Sequence, residues 1–133
     1  MYREFNGLWI GDNENGTYEN PILLSDYSDP DVIRVGKDFY MVASSFTYFP
    51  GLPVLHSRDL VNWKIISYAV NKLPFDDYDV PQHGKGVWAP SIRYHNGMFY
   101  IYFATPDEGI FVSTTDDPYG KWNLKLEKNL WLD

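Results

Sequence analysis

Apolar positions in this chain fall into short runs and never settle into a helical period. Residues 32–35 (VIRV), 38–45 (DFYMVASS), 53–57 (PVLHS) and 63–70 (WKIISYAV) are rich in β-branched and aromatic side chains. Turn-forming residues separate them, at Gly36-Lys37-Asp38, Pro50-Gly51-Leu52-Pro53 and Arg58-Asp59. That pattern predicts strands joined by tight turns, and so an all-β fold. Residues 1–19 are polar and rich in Gly, Asn and Glu, with Trp9 and Ile10 as their main apolar contact, and they read as a surface arm.

The run of strands repeats. PDVIRVGKDFYMV begins at Pro30 and PSIRYHNGMFYIY at Pro90, an offset of 60 residues. The Phe-Tyr pair falls nine residues after the proline in both, at Phe39-Tyr40 and Phe99-Tyr100. Each unit then runs on to a small polar stretch and a tryptophan, Trp63 in one and Trp122 in the other. Tryptophans in equivalent positions of a repeat predict a structural task, the packing of one unit on the next. Four strands per unit at this period are the signature of propeller blades. Residues 20–133 thus read as two blades. A propeller needs about four to eight, so the expectation is that the rest of a parent chain, or a second copy, completes the ring.

Composition narrows the partners. Eighteen acidic residues against 11 basic ones give a net charge of −7, which disfavours nucleic acid. A neutral glycan meets no such objection, and aromatic residues at 18% of the chain can supply the flat apolar faces that sugars pack on. The same aromatics can equally be core. No apolar run approaches the ~20 residues of a membrane-spanning helix. The chain has no cysteine and no visible signal peptide, so a cytoplasmic location is expected. His56, His83 and His95 lack ligand spacing, and neither a metal nor a cofactor is expected.

The stretch SDYSDPD (25–31) sets three carboxylates around Pro30. Asp29 can be a turn residue bonding its own backbone, or a base that activates water. The residue before a proline is driven to extended backbone, which would fix the direction of its side chain. Asp31 reads as a partner for a backbone amide or an arginine such as Arg34, and Asp26 as a solvated loop residue. The loop 77–86, DYDVPQHGKG, is the longest irregular stretch and a candidate pocket rim. His83 within it is a candidate contact for a sugar hydroxyl.

NPILLSDYSDPDVIRVGKDFYMVASSFTYFPGLPVLHSRDLVNW (20–63), GVWAPSIRYHNGMFYIYFAT (86–105) and, more weakly, DPYGKW (117–122) resemble glycoside hydrolase family 43. That resemblance implies a five-bladed β-propeller and an inverting O-glycosidase of the β-xylosidase or α-L-arabinofuranosidase type. It implies Asp29 as the general base, Phe46 and Trp88 as aromatic walls of the sugar pocket, and Asp133 as the aspartate that tunes the acid. The family's general acid, a glutamate in a later blade, has no position here, because Glu108 and Glu127 precede the third blade. The 133-residue stretch alone is then expected to be inactive. The alternatives are a non-catalytic carbohydrate-binding propeller and a bare interaction module.

Overall fold

In the computed structural model, which describes residues 9–129, eight strands form two four-stranded antiparallel sheets. The first runs in chain order through β1 (Asp31–Val35), β2 (Asp38–Val42), β3 (Gly51–Ser57) and β4 (Lys64–Val70). The second repeats that order with β5 (Ser91–His95), β6 (Met98–Thr105), β7 (Gly109–Thr115) and β8 (Asn123–Asn129). The 60-residue repeat is therefore a repeat of whole blades. In the β5–β6 hairpin, Asn96 and Gly97 both sit at positive φ, +48° and +82°, where an Asn-Gly pair suits the right-handed strand twist. His95, the last residue of β5, is exposed.

The paired aromatics explain how blades stack. Neighbouring residues of a strand point to opposite faces, so Phe39-Tyr40 and Phe99-Tyr100 each put one ring forward and one back. Tyr40 meets Phe99 of the next blade edge-on, with centroids 5.0 Å apart. Around that contact Val42, Val54, Ile92, Ile101, Phe103 and Phe111 form one apolar layer between the sheets, and Phe103 stacks on Phe111 at 5.3 Å. Burying each such side chain contributes about 1.5–3 kcal/mol, against about 0–1 kcal/mol for an exposed ion pair. The layer therefore holds the blades together, and exposed pairs such as Lys72–Asp79 and Lys125–Glu127 add little.

Polar links cross the same interface. Trp122 is buried and its Nε1–H donates to Ser67 Oγ of β4 at 3.0 Å, while Ser67 Oγ donates to Pro118 O at 2.6 Å. His56 stands between Asp38 and Tyr119, 2.7 Å from each, and joins β3 to the segment after β7. The hydrogen bond from His56 is the chief reason the Asp38 carboxyl is held below its ordinary range. Trp122 thus has the blade-packing task its position predicts. Trp63 differs: it is half-buried and its Nε1–H donates to Leu60 O three residues back, closing its own turn.

Three boundaries depart most from expectation. β3 begins at Gly51, so Gly51, Leu52 and Pro53 of the expected turn are strand, with Gly51 paired to Val70 and Pro53 to Tyr68 of β4. The second strand ends at Val42 rather than Ser45, because Ser44 N–H turns away to Ser28 O at 2.9 Å. The loop 77–86 begins within a 3-10 turn, Asp76–Asp79. The arm from residue 9 folds back on itself through a bridge between Asp12 and Tyr18, and Asn62 Nδ2 reaches Asp12 Oδ2 at 2.7 Å. Asp59 organises that docking loop, and hydrogen bonds led by those from Asn62 hold its carboxyl at about 2.

Two measurements check this packing. A double-mutant cycle on Tyr40→Ala and Phe99→Ala in urea unfolding should return a coupling of about 0.5–1.5 kcal/mol beyond burial. Asp59→Ala should lower the unfolding midpoint at pH 7. Because the folded value lies below the unfolded one, that deficit should be full above about pH 4 and shrink as pH falls toward 2.

Candidate active site

Both blades begin their inner strand just after a proline, Pro30 before β1 and Pro90 before β5, so the leads into β1 and β5 lie side by side. Asp29 is on the first lead. Its side chain is exposed, and its Oδ2 accepts from Ser28 Oγ at 2.8 Å and Ser44 Oγ at 3.2 Å. Oδ1 has no hydrogen-bond partner among the described residues. The backbone is not extended as the following proline predicts: Asp29 sits at φ +48°. Aspartate tolerates the left-handed region better than most residues. The bond from Ser44 N–H to Ser28 O, with the two hydroxyls on Oδ2, supplies the outside restraint that such a conformation requires.

Asp31 finds an amide and an arginine, but not Arg34. Its Oδ2 accepts from Ile92 N–H at 2.8 Å, Arg93 Nη1 at 2.7 Å and Ser91 Oγ at 3.3 Å, all in β5. Arg34 donates instead to Gly36 O at 2.9 Å and lies over the Phe39 ring. Asp26 is exposed, as a loop residue should be.

The aromatic candidates are brought together by backbone. Phe46 and Val87 form an isolated bridge, with N···O distances of 2.9 Å in both directions, and Trp88 is the next residue. Thr47 Oγ1 accepts from Gln82 N–H at 2.8 Å, a second stitch between the same two loops. Trp88 is fixed by donating Nε1–H to Gly84 O at 3.1 Å and its backbone N–H to Ala104 O at 3.0 Å. Phe46 and Trp88 remain 36% and 40% exposed, so neither is plain core. Ser44 is two residues before Phe46, and contacts therefore run without a break from the Asp29 carboxylate to Trp88.

The crossover carrying Trp88 is anchored from blade two. Lys85 pairs with Asp107 at 2.6 Å, and the buried Tyr78 donates to Glu108 at 3.0 Å. Burial, then the Glu108 carboxylate, pushes the Tyr78 hydroxyl above its ordinary range. Glu108 thus has a structural partner in Tyr78. His83 is exposed in this crossover and makes no hydrogen bond among the described residues. Asp133 lies outside the described residues. A groove of about 760 Å³ opens on blade one between Ser25–Ser28, Ser44–Phe46, Tyr48–Pro50, Ile65 and Tyr68. It shares Ser28, Ser44 and Phe46 with the surroundings of Asp29 but includes neither Asp29 nor Trp88. Among the described residues no cluster of His, Asp or Glu is arranged to hold a metal ion.

Ser28, Ser44 and the Thr47–Gln82 stitch were not anticipated from sequence. Ser28 adjoins Asp29 and carried a local signal. Ser44 is 15 residues away and carried none.

Comparison with known proteins bears on this geometry. Residues 18–131 match the family described as glycosyl hydrolases family 43. The chain belongs to that family. It is 50% identical over 113 residues to a putative beta-xylosidase of Xylanibacter ruminicola, covering 84% of this chain and 21% of that protein. It is 40% identical over 134 residues to a non-reducing end alpha-L-arabinofuranosidase of Bacteroides ovatus, covering 94% of this chain and 25% of that protein. Among solved structures, the family 43 protein BlXynB of Bacillus licheniformis matches with a TM-score of 0.70 at 37% identity, covering 79% of this chain and 23% of that one. A second, the Bacteroides ovatus xyloglucan-locus GH43B, matches with a TM-score of 0.66 at 42% identity, covering 78% and 22%. The two sheets are therefore two blades of a family 43 propeller, and the chain spans about a quarter or less of these relatives.

Two glycines test the loop stitching. A Cβ on Gly86 would lie 2.0 Å from Phe46 O, at φ +99°, whereas one on Gly84 would meet nothing within 4 Å. Gly86→Ala should break the Phe46–Val87 bridge, cost more than about 3 kcal/mol and shift Trp88 fluorescence. Gly84→Ala should cost only about 1 kcal/mol of backbone strain.

Proposed function

We propose that this chain carries the base-bearing part of the active site of an inverting glycoside hydrolase. Its substrates are oligosaccharides ending in xylosyl or arabinofuranosyl residues, the two specificities printed in the names of its relatives. The observation that carries the reading is the unbroken chain of contacts from Asp29 through Ser44 and Phe46 to Val87 and Trp88. It places a carboxylate with one free oxygen in the same continuous framework as two half-exposed aromatic rings. Such rings suit the C–H faces of a sugar, and such an oxygen suits a water molecule.

In this mechanism the hydroxyls of Ser28 and Ser44 hold Oδ2 of Asp29, and Oδ1 takes a proton from the attacking water. Attack comes from the face opposite the leaving group, whose oxygen a second carboxyl protonates. The two carboxyls of an inverting enzyme stand roughly 6.5–9.5 Å apart, leaving room for that water. The acid is a glutamate outside this chain. Asp133 is the aspartate that assists it. Residues 1–19 form an arm and residues 20–133 the first two blades. The outward sheet faces, with Val32, Ile65 and Tyr68 on one and Tyr102 and Ile110 on the other, are where further blades pack.

The test is Asp29→Asn in the whole protein, assayed on 4-nitrophenyl β-xyloside and α-arabinofuranoside. Loss of the base should lower kcat by about 10²–10⁴-fold with little change in KM. An unchanged kcat removes Asp29 from the mechanism. Absence of hydrolysis by the unmutated protein, with sugar binding retained, favours the non-catalytic carbohydrate-binding propeller.

A further inference from the structure

The triplet Asp29-Pro30-Asp31 is held from both blades. On blade one, Ser44 grips it through Ser28 O and Asp29 Oδ2. On blade two, the contact is the Asp31 carboxylate, whose Oδ2 takes Ile92 N–H, Arg93 Nη1 and Ser91 Oγ. β5 is an edge strand that pairs only with β6. Ile92 N–H points away from β6, and Ile92 is fully buried, so without Asp31 that amide would have no partner and no water. Leaving a buried donor unpaired is costly, so this bond is worth more than the exposed ion pair beside it.

The leads from the two inner strands are short and stiff. Asp29 stands two residues before Asp31, across Pro30, and Trp88 stands three residues before Ser91, across Pro90. Proline fixes φ in each lead. Little slack is left to absorb a sliding of β5 against β1, so any such slip changes the spacing between the Asp29 carboxylate and the Trp88 ring. The Phe46–Val87 bridge ties the lead into β5 to the loop after β2, and Asp31 ties the start of β5 directly to the start of β1.

We propose that Asp31 is a positioning residue, which bolts the start of β5 to the start of β1 and so sets the distance between the base and the aromatic wall. The proposal rests on the reading of Asp29 as base. Both oxygens of Asp31 are engaged by protein donors, Oδ1 by Val32 N–H at 3.1 Å and Oδ2 by the three groups of β5. Its working group is one acceptor oxygen aimed at Ile92 N–H, and its charge matters less than that oxygen.

The test uses the whole protein that carries this chain, with kcat taken per folded molecule on the 4-nitrophenyl glycoside it hydrolyses. Misplacement of a reacting group by about 1 Å can cost about 10²-fold. Asp31→Ala should therefore lower kcat by about 10–100-fold with KM changed less than about 3-fold. Asp31→Asn keeps an oxygen for Ile92 N–H and should recover to within about 3-fold of wild type. Arg93→Met, which leaves the amide bond in place, should also stay within about 3-fold. If Asp31→Ala does not fold, Asp31→Ser replaces it, its shorter hydroxyl falling short of Ile92 N–H, with a kcat loss of about 10-fold expected. A folded Asp31→Ala or Asp31→Ser with wild-type kcat, even at a lower unfolding midpoint, overturns the positioning role. An Asn variant no better than Ala overturns it too, since charge would then be what matters. The Asp29→Asn variant run alongside separates the two ideas. If it keeps its turnover, the base reading fails and this proposal with it. If it loses turnover while Asp31→Ala does not, only the positioning role fails.

Discussion

The edge-on contact between Tyr40 and Phe99 expresses the constraint on which the molecule depends. A strand that carries two adjacent aromatics cannot bury both on one side. Each blade therefore has an apolar face in front and another behind, and neither is satisfied within the blade. Stacking satisfies one face of each sheet here, and the layer of Val42, Val54, Ile92, Ile101, Phe103 and Phe111 follows from it. Stacking also decides where chemistry can sit. Two blades in the same orientation bring the starts of their inner strands together, and the loops before those starts become one surface.

On that surface conformational strain is concentrated at two of the candidate site residues. Asp29 and Phe46 both lie at positive φ, +48° and +50°, where a residue other than glycine needs outside support. The support is visible in each case. Ser44 and Ser28 hold Asp29, while Val87 and Thr47 hold the loop that carries Phe46. The two cases share a logic: polar contacts over-determine the backbone so that one carboxylate oxygen and two aromatic faces are left open. Gly86 is the space-limited element in this arrangement, since the Phe46 carbonyl occupies the volume a side chain would need.

Much of the fold was legible because it rests on local rules repeated twice. The prolines and the Phe-Tyr pairs recur at an offset of 60 residues, the tryptophans recur one residue short of it, and together they mark strands, faces and blades. The site was legible in its residue types and less so in its geometry. The rule that a pre-proline residue is extended failed at Asp29, because it is a local preference and non-local hydrogen bonds from Ser44 outweigh it. The partner of Asp31 lies 61–62 residues away in Ile92 and Arg93, where no sequence rule reaches, whereas the nearer Arg34 is drawn to its own turn. Trp63 and Trp122 look equivalent in sequence, yet only the second has a neighbouring blade to pack on among the described residues. Position in the repeat predicts the face a side chain takes, and the neighbour decides what that face meets.

The most direct measurement is a crystal structure of the whole protein with xylose or arabinose bound. The account predicts a water molecule on Asp29 Oδ1, within about 3–3.5 Å of the sugar's anomeric carbon, and the ring lying against Phe46 and Trp88. A sugar seated instead in the groove between Tyr48 and Tyr68, with Oδ1 occupied by another protein group, would contradict it.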